Sequence, residues 1–299
     1  MQNPKFIEFT TKDGLNLPGL LYEAKKSGKM AIYLHGNGSS SVFYDESRNK
    51  ILANALYEHK ISVLFFNNRG AHLMKKLNVK KNGKTERKLY GMAYEKIKEC
   101  VEDINGAIKF LEKLGYKEFY LIGASTGANK ICVYNFYKPK NKIAKYVLLS
   151  SGDDAGFYYN LLGKDKFRKL LFRAKEKIKI GCGKEIMPEL LPYDFIFSYD
   201  SFYDIASPDG DYNIFPFFES IKKVKLSHKP LFRHFKSINK STLVIYGEFD
   251  EYAWGDARKV VNILKSYKPN FTYEIIKGAD HKMANREEQL AKIITRWLK

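Results

Sequence analysis

Phe119-Tyr120-Leu121-Ile122-Gly123-Ala124-Ser125-Thr126-Gly127 is the stretch that decides the fold. An apolar run of strand type ends in GASTG, and Thr126–Tyr137 then carries a helical pattern. A strand, a tight glycine-flanked turn and a helix are the context of a nucleophile elbow. Such a turn forces the serine into a strained backbone conformation, and small residues two before and two after it leave room. Ser125 Oγ is therefore expected to stand clear of the backbone at a helix N-terminus, as a nucleophile.

Upstream, the short apolar run Met30–Leu34 reads as a buried strand. It ends in Tyr33-Leu34-His35-Gly36-Asn37-Gly38. Acyl transfer develops a negative oxygen, which needs preorganised N–H donors, each worth about 2.7–4 kcal/mol. A glycine-rich loop beside the elbow can supply one. The expected pair is the N–H of Asn37 and the N–H of Thr126, with Gly38 as the alternative to Asn37. His35 is expected to brace this loop and not to carry protons.

Downstream, two strands end in polar loops. Thr242–Tyr246 runs into Gly247-Glu248-Phe249-Asp250, and Phe271–Ile276 precedes Gly278-Ala279-Asp280-His281. In open α/β sheets, functional groups gather beyond the carboxyl ends of strands. His281 combines a strand-end loop with a preceding Gly and Asp, which marks it as the general base. Asp250 is the expected acid. Asp153 and Asp154, after the strand Ile143–Leu149, are the rivals, since triads are recognised by geometry. Glu248, Glu251 and Asp256 read as solvated, and Asp280 as pointing away from its neighbour.

Elsewhere, strands and helices alternate. Phe6–Phe9 and Leu15–Tyr22 read as a hairpin turned by Lys12-Asp13-Gly14. Val42–His59 is helical, Ile61–Phe66 is a buried strand, and Tyr94–Leu114 is a helix stopped at Gly115. Helices follow over Ala257–Ser266 and Arg286–Leu298. This rhythm predicts a doubly wound, mostly parallel sheet. Residues 153–238 break it with helical patterns and aromatic clusters but no buried strand, and are expected to form a cap or lid. The core would then comprise 1–152 and 239–299. Aromatics such as Phe157, Phe195 and Phe217 serve packing, and some can line an apolar substrate pocket. The basic stretch Lys75–Lys88 reads as an exposed loop.

The 299 residues carry a formal charge of +19 and are 44% apolar, enough for a sizeable core. The basic residues are scattered, and no aromatic interleaves Lys75–Lys88, so a nucleic-acid partner is not expected. Cys100, Cys132 and Cys182 show neither metal-ligand spacing nor a disulfide framework. No cofactor is called for. No apolar run reaches the roughly 18 residues of a membrane span, and no apolar leader opens the chain. A cytoplasmic protein, monomer or homodimer, is expected.

HGNG, GASTG, GEFD and GADH in this order resemble the α/β-hydrolase superfamily. Phe65-Phe66-Asn67-Asn68-Arg69-Gly70 and Gly91-Met92-Ala93-Tyr94-Glu95, leading to Cys100-Val101-Glu102-Asp103-Ile104, narrow the resemblance. They are similar to an esterase-like branch grouped with fungal siderophore hydrolases. The resemblance spans nearly the whole chain. It implies an eight-stranded sheet with a helical cap, and a serine carboxylesterase acting on short acyl or aryl esters through Ser125, His281 and Asp250. It departs at Ala124, where relatives most often carry histidine, which alters packing behind the elbow. The same triad would serve a thioesterase, amidase or peptidase, or a receptor-like binding module with slow turnover.

Overall fold

The structure, a computed structural model, describes residues 3–25, 27–38, 40–189, 191 and 195–299. Leu190 and residues 192–194 of the expected cap lie outside the described residues. The chain begins with β1 (Lys5–Thr10), β2 (Asn16–Tyr22), β3 (Lys29–Leu34), α1 (Glu46–Glu58) and β4 (Ile61–Phe66). Then come β5 (Lys75–Lys81), β6 (Lys84–Tyr90), α2 (Cys100–Lys113), β7 (Glu118–Ala124), α3 (Thr126–Tyr137) and β8 (Ile143–Leu149). The helices α4 (Asp154–Leu162), α5 (Lys164–Lys179), α6 (Tyr199–Ala206), α7 (Phe217–Lys222) and α8 (Arg233–Lys236) follow. The chain ends with β9 (Ser241–Gly247), α9 (Ala257–Tyr267), β10 (Thr272–Ile276) and α10 (Glu287–Leu298).

Eight strands form one sheet in the order β1-β2-β4-β3-β7-β8-β9-β10. Only the pairings of β1 with β2 and of β2 with β4 are antiparallel; the rest are parallel. Every residue of β4 is buried, as a continuous Ile-Ser-Val-Leu-Phe-Phe run in a parallel sheet covered on both faces requires. One face packs against α2, α3, α9 and the helices that follow β8, the other against α1 and α10. The amphipathic α10 gives Leu290, Ala291, Ile294 and Leu298 to that second face.

After β3 the chain adds β4 on one side, and later adds β7 on the other. The carboxyl ends of β3 and β7 therefore flank the point where strand order reverses. A crevice opens there in sheets of this kind. The loops carrying His35–Gly38 and Ser125 both leave from it.

Two sequence expectations change. The helix expected from Tyr94 begins at Cys100, after two 3-10 turns at Met92–Tyr94 and Ile97–Glu99. The basic stretch is no loop: β5 and β6 pair antiparallel from Lys75↔Tyr90 to Lys81↔Lys84. Asn82 and Gly83 form its turn with φ of 51° and 74°, the left-handed pair that suits the twist of a two-residue hairpin. An Asn-Gly dipeptide between β-branched residues was the available signal. The ribbon is pinned by a Leu15↔Val79 bridge and by the Lys80 N–H bonded to the Gly14 carbonyl at 2.7 Å.

Candidate active site

Ser125 has φ 54° and ψ −125°, a left-handed backbone that β-turn sterics resist in any residue with a Cβ. The tight packing of the turn imposes it. A Cβ on Gly127 would collide with the Leu34 carbonyl, and one on Gly123 with the Gly127 carbonyl. The Ser125 N–H is tied to the Leu149 carbonyl at 2.8 Å, and its own carbonyl receives the Ala128 N–H at 2.9 Å. The serine is thus held between β7, β8 and the first turn of α3.

His281 arrives on the loop after β10. Its Nε2 lies 3.0 Å from Ser125 Oγ, and its Nδ1 lies 2.9 Å from Asp250 Oδ1. Nδ1–H donates to the carboxylate, so Nε2 is free to accept from the serine hydroxyl. Asp250 is 2% exposed, and its Oδ1 also accepts the Tyr252 N–H at 3.0 Å. Its Oδ2 is buried with no partner among the described residues. The Tyr252 ring rests against the imidazole with centroids 4.4 Å apart.

The rival carboxylates do other work. Asp153 accepts the N–H groups of Gly156 at 2.8 Å and Phe218 at 2.6 Å, joining the start of α4 to α7. Asp154 accepts from the Asn129 side chain at 3.0 Å. Burial pushes both carboxyls up to about 7, and for Asp154 the neighbouring Asp153 adds to this. Sequence reasoning missed Glu248 and Glu251. Glu248 accepts the Gly278 N–H at 2.9 Å and Glu251 the His281 N–H at 3.2 Å, so both hold the histidine loop against the β9 loop. The acidic density of GEFDE was the signal. Asp280 turns to the Ala284 N–H at 2.9 Å.

Thr126 is the first residue of α3, and the first N–H groups of a helix have no intrahelical acceptor. Thr126 and Asn37 both line the cavity at Ser125. The Asn37 carbonyl is pinned by Ser40 Oγ at 2.7 Å, and its side-chain Oδ1 is buried with no partner among the described residues. His35 accepts the Asn68 N–H at Nε2 (3.1 Å), so Nδ1 carries the proton it gives to the Gly36 carbonyl (2.8 Å). Burial, aided by the Lys130 ammonium, holds its pKa well below the usual histidine range. A neutral imidazole bonded at both nitrogens stiffens the loop.

The stretches Phe65–Gly70 and Gly91–Glu95, with Asp103 beyond them, have a physical role. Arg69 is bound to Asp103 through its N–H (3.0 Å), Nε (2.9 Å) and Nη2 (2.7 Å). Its Nη1 reaches Asp13 at 3.0 Å. Lys130, on α3, pairs with Glu95 at 2.5 Å, both nearly fully buried. This charge lattice ties the loop after β4 and the approach to α2 to the helix that starts at the elbow.

The cavity over Ser125 measures about 490 Å³. Phe157, Tyr158, Phe195 and Ile205 line it from the segment between β8 and β9. The β5–β6 ribbon supplies none of its described lining residues. Among the described residues, no group of three or more His, Cys, Asp or Glu is placed to share a metal ion, and no helix is long and apolar enough to cross a membrane.

Residues 86–299, well over half of the chain, match the family described as "Protein of unknown function (DUF1749)". No curated protein matches the chain. Among solved structures it is similar to Est1E from Butyrivibrio proteoclasticus, with TM-score 0.61 and 14% identity over 99% of this chain and 98% of that one. The Pyrococcus furiosus esterase Pf2001 gives TM-score 0.59 and 19% identity over 99% and 90% of the two chains. The naproxen esterase (carboxylesterase NP) from Bacillus subtilis gives 0.53 and 14% over 99% and 92%. Likeness of this extent establishes the α/β-hydrolase fold.

Proposed function

The chain belongs to the DUF1749 family, and from that premise and the site geometry we propose that it is a serine carboxylesterase. The observation that carries the reading is one line of two hydrogen bonds, from Ser125 Oγ through His281 to Asp250. In the proposed reaction His281 takes the hydroxyl proton as Ser125 attacks an ester carbonyl. Asp250 holds the imidazole in the needed tautomer and stabilises the imidazolium. The N–H groups of Asn37 and Thr126 receive the tetrahedral oxyanion. His281 then protonates the leaving alkoxide. Water, deprotonated by the same imidazole, releases the acid from the acyl-enzyme.

Residues 153–238 are proposed as the cap, whose aromatic side chains roof the cavity, over a core of 1–152 and 239–299. Esterases among the structural neighbours support a hydrolytic reaction. The kinship with fungal siderophore hydrolases rests on the quoted motifs alone. The test is Ser125→Ala against p-nitrophenyl acetate, with a fluorophosphonate probe on the parent protein. Labelling of Ser125 and loss of turnover in the variant are the expected results; undiminished turnover refutes the reading. Matched thioesters and anilides in the same assay decide which acyl compound is preferred.

A further inference from the structure

The cavity at Ser125 is lined from both faces of the sheet. One group of residues comes from the segment after β8, together with Tyr252. The other comprises Tyr33, Leu52, Phe65, Leu290, Ala291 and Ile294, all in the apolar cluster beneath α1 and α10. Ala124 lines the cavity, packs on the second cluster, and immediately precedes the serine. A methyl is all that this side chain places there, so the cavity continues behind the elbow.

The catalytic geometry assigns a direction to each half of an ester. The leaving oxygen must lie beside His281 Nε2, which gives it a proton. The His281 ring abuts Tyr252, and Tyr252 abuts Phe157, with centroids 5.7 Å apart. The alcohol half therefore points beneath the segment after β8. The acyl half, attached to the same carbonyl carbon, points away from the imidazole and towards Ala124. The arm it meets is walled by Leu52, Leu290, Ala291 and Ile294 together with the polar Asp45, Asn49, Arg48 and Glu287, the last two bridging α1 to α10 at 3.7 Å. A volume of this order suits a small organic group held mainly by apolar contact.

We propose that the space behind Ala124, between α1 and α10, is the acyl site for a medium-length aliphatic chain, and that the size of side chain 124 sets the length accepted. This rests on the serine-esterase reading. Residue 124 acts here as a specificity determinant and takes no part in bond making. The chain gains affinity because each buried methylene leaves water, and a wall moved inwards by several carbons rejects longer chains first.

The test uses p-nitrophenyl acetate and octanoate with the parent protein, Ala124→Leu and Ala291→Phe. The expected result is an octanoate-to-acetate ratio of kcat/KM that falls at least about tenfold in each variant, since even one misplaced methylene discriminates by that order. Ala291→Phe fills the arm from α10, far from the strained turn, and carries the test if Ala124→Leu does not fold. A ratio unchanged in the folded variants overturns the acyl site. An n-octyl phosphonate adduct on Ser125, solved crystallographically, adds a direct view: a chain between α1 and α10 supports the proposal, and a chain beneath the segment after β8 overturns it. Failure of the phosphonate to label Ser125 in an active protein would instead bring down the serine reading itself.

Discussion

Two buried polar clusters sit at the same end of the sheet and are built in opposite ways. Around Arg69, Asp103, Glu95 and Lys130, charges are matched several times over: Asp103 alone receives three donors from one arginine. Around Ser125, each link is a single hydrogen bond, and Asp250 keeps an unused oxygen. In the first cluster each charged side chain is bonded to a side chain of opposite charge. The second leaves Ser125 Oγ and His281 Nε2 facing a cavity. Buried charges are costly unless paired, so a lattice of matched charges acts as a brace. The proposed nucleophile and base must instead keep an open side.

The contrast breaks most sharply at Asp250. Asp250→Asn keeps the shape but favours the wrong imidazole tautomer, so kcat/KM should fall about 10⁴-fold, some 5.5 kcal/mol in the barrier. Thermal unfolding should scarcely change, and ester kinetics beside calorimetry check both halves. Asp103→Leu should do the reverse. It strips the buried Arg69 of three of its bonds and leaves it only Asp13 and Glu99 as acidic partners, at a cost of up to about 3–5 kcal/mol in urea unfolding. Turnover per folded molecule should stay near that of the parent. A variant of Asp103 that kept its stability would show that the lattice braces nothing.

Asp153 and Asp154 lie between the two styles, and pH exposes them. Burial pushes both up to about 7, against roughly 3.9 in an unfolded chain. The folded state then holds protons that the unfolded state has lost, so stability falls as pH rises from about 4 to about 7. The slope is at most about 1.4 kcal/mol per pH unit for each proton. Asp154→Asn should flatten it, measured as urea midpoints across that range; an unaltered slope would remove Asp154 from the account. The smallest effect is expected at Gly83. Gly83→Ala places a Cβ at φ 74° in the ribbon turn, at a cost of about 1–2 kcal/mol, with ester turnover untouched. A change in turnover would connect the ribbon to the site.

The periodic parts of this fold were legible because apolar runs and helical spacing are local. β8 and α3 occur at the residues expected. The elbow was equally plain, since strand, small residues and helix adjoin in sequence. Three things were not. The β5–β6 ribbon was hidden because its lysines outweighed the Asn82-Gly83 turn that shapes it. Glu248 and Glu251 read as solvated because their partners, the N–H groups of Gly278 and His281, lie thirty residues away in sequence. The pairing of Arg69 with Asp103 and of Lys130 with Glu95 was unreadable for the same reason: charge partners more than thirty residues apart leave no spacing rule. Ala124 showed only as a departure from a motif, and its place on a cavity wall required the helices beyond it.

Ser125 and His281 stand 156 positions apart, on loops after β7 and β10. A chain emerging from a ribosome therefore exposes its serine long before the imidazole has been made. The hydroxyl is then an ordinary alcohol, without a base to sharpen it. On the proposed serine-esterase reading, reactivity arises only when the last strand docks beside its neighbour, and the half-synthesised polypeptide is harmless to the esters around it.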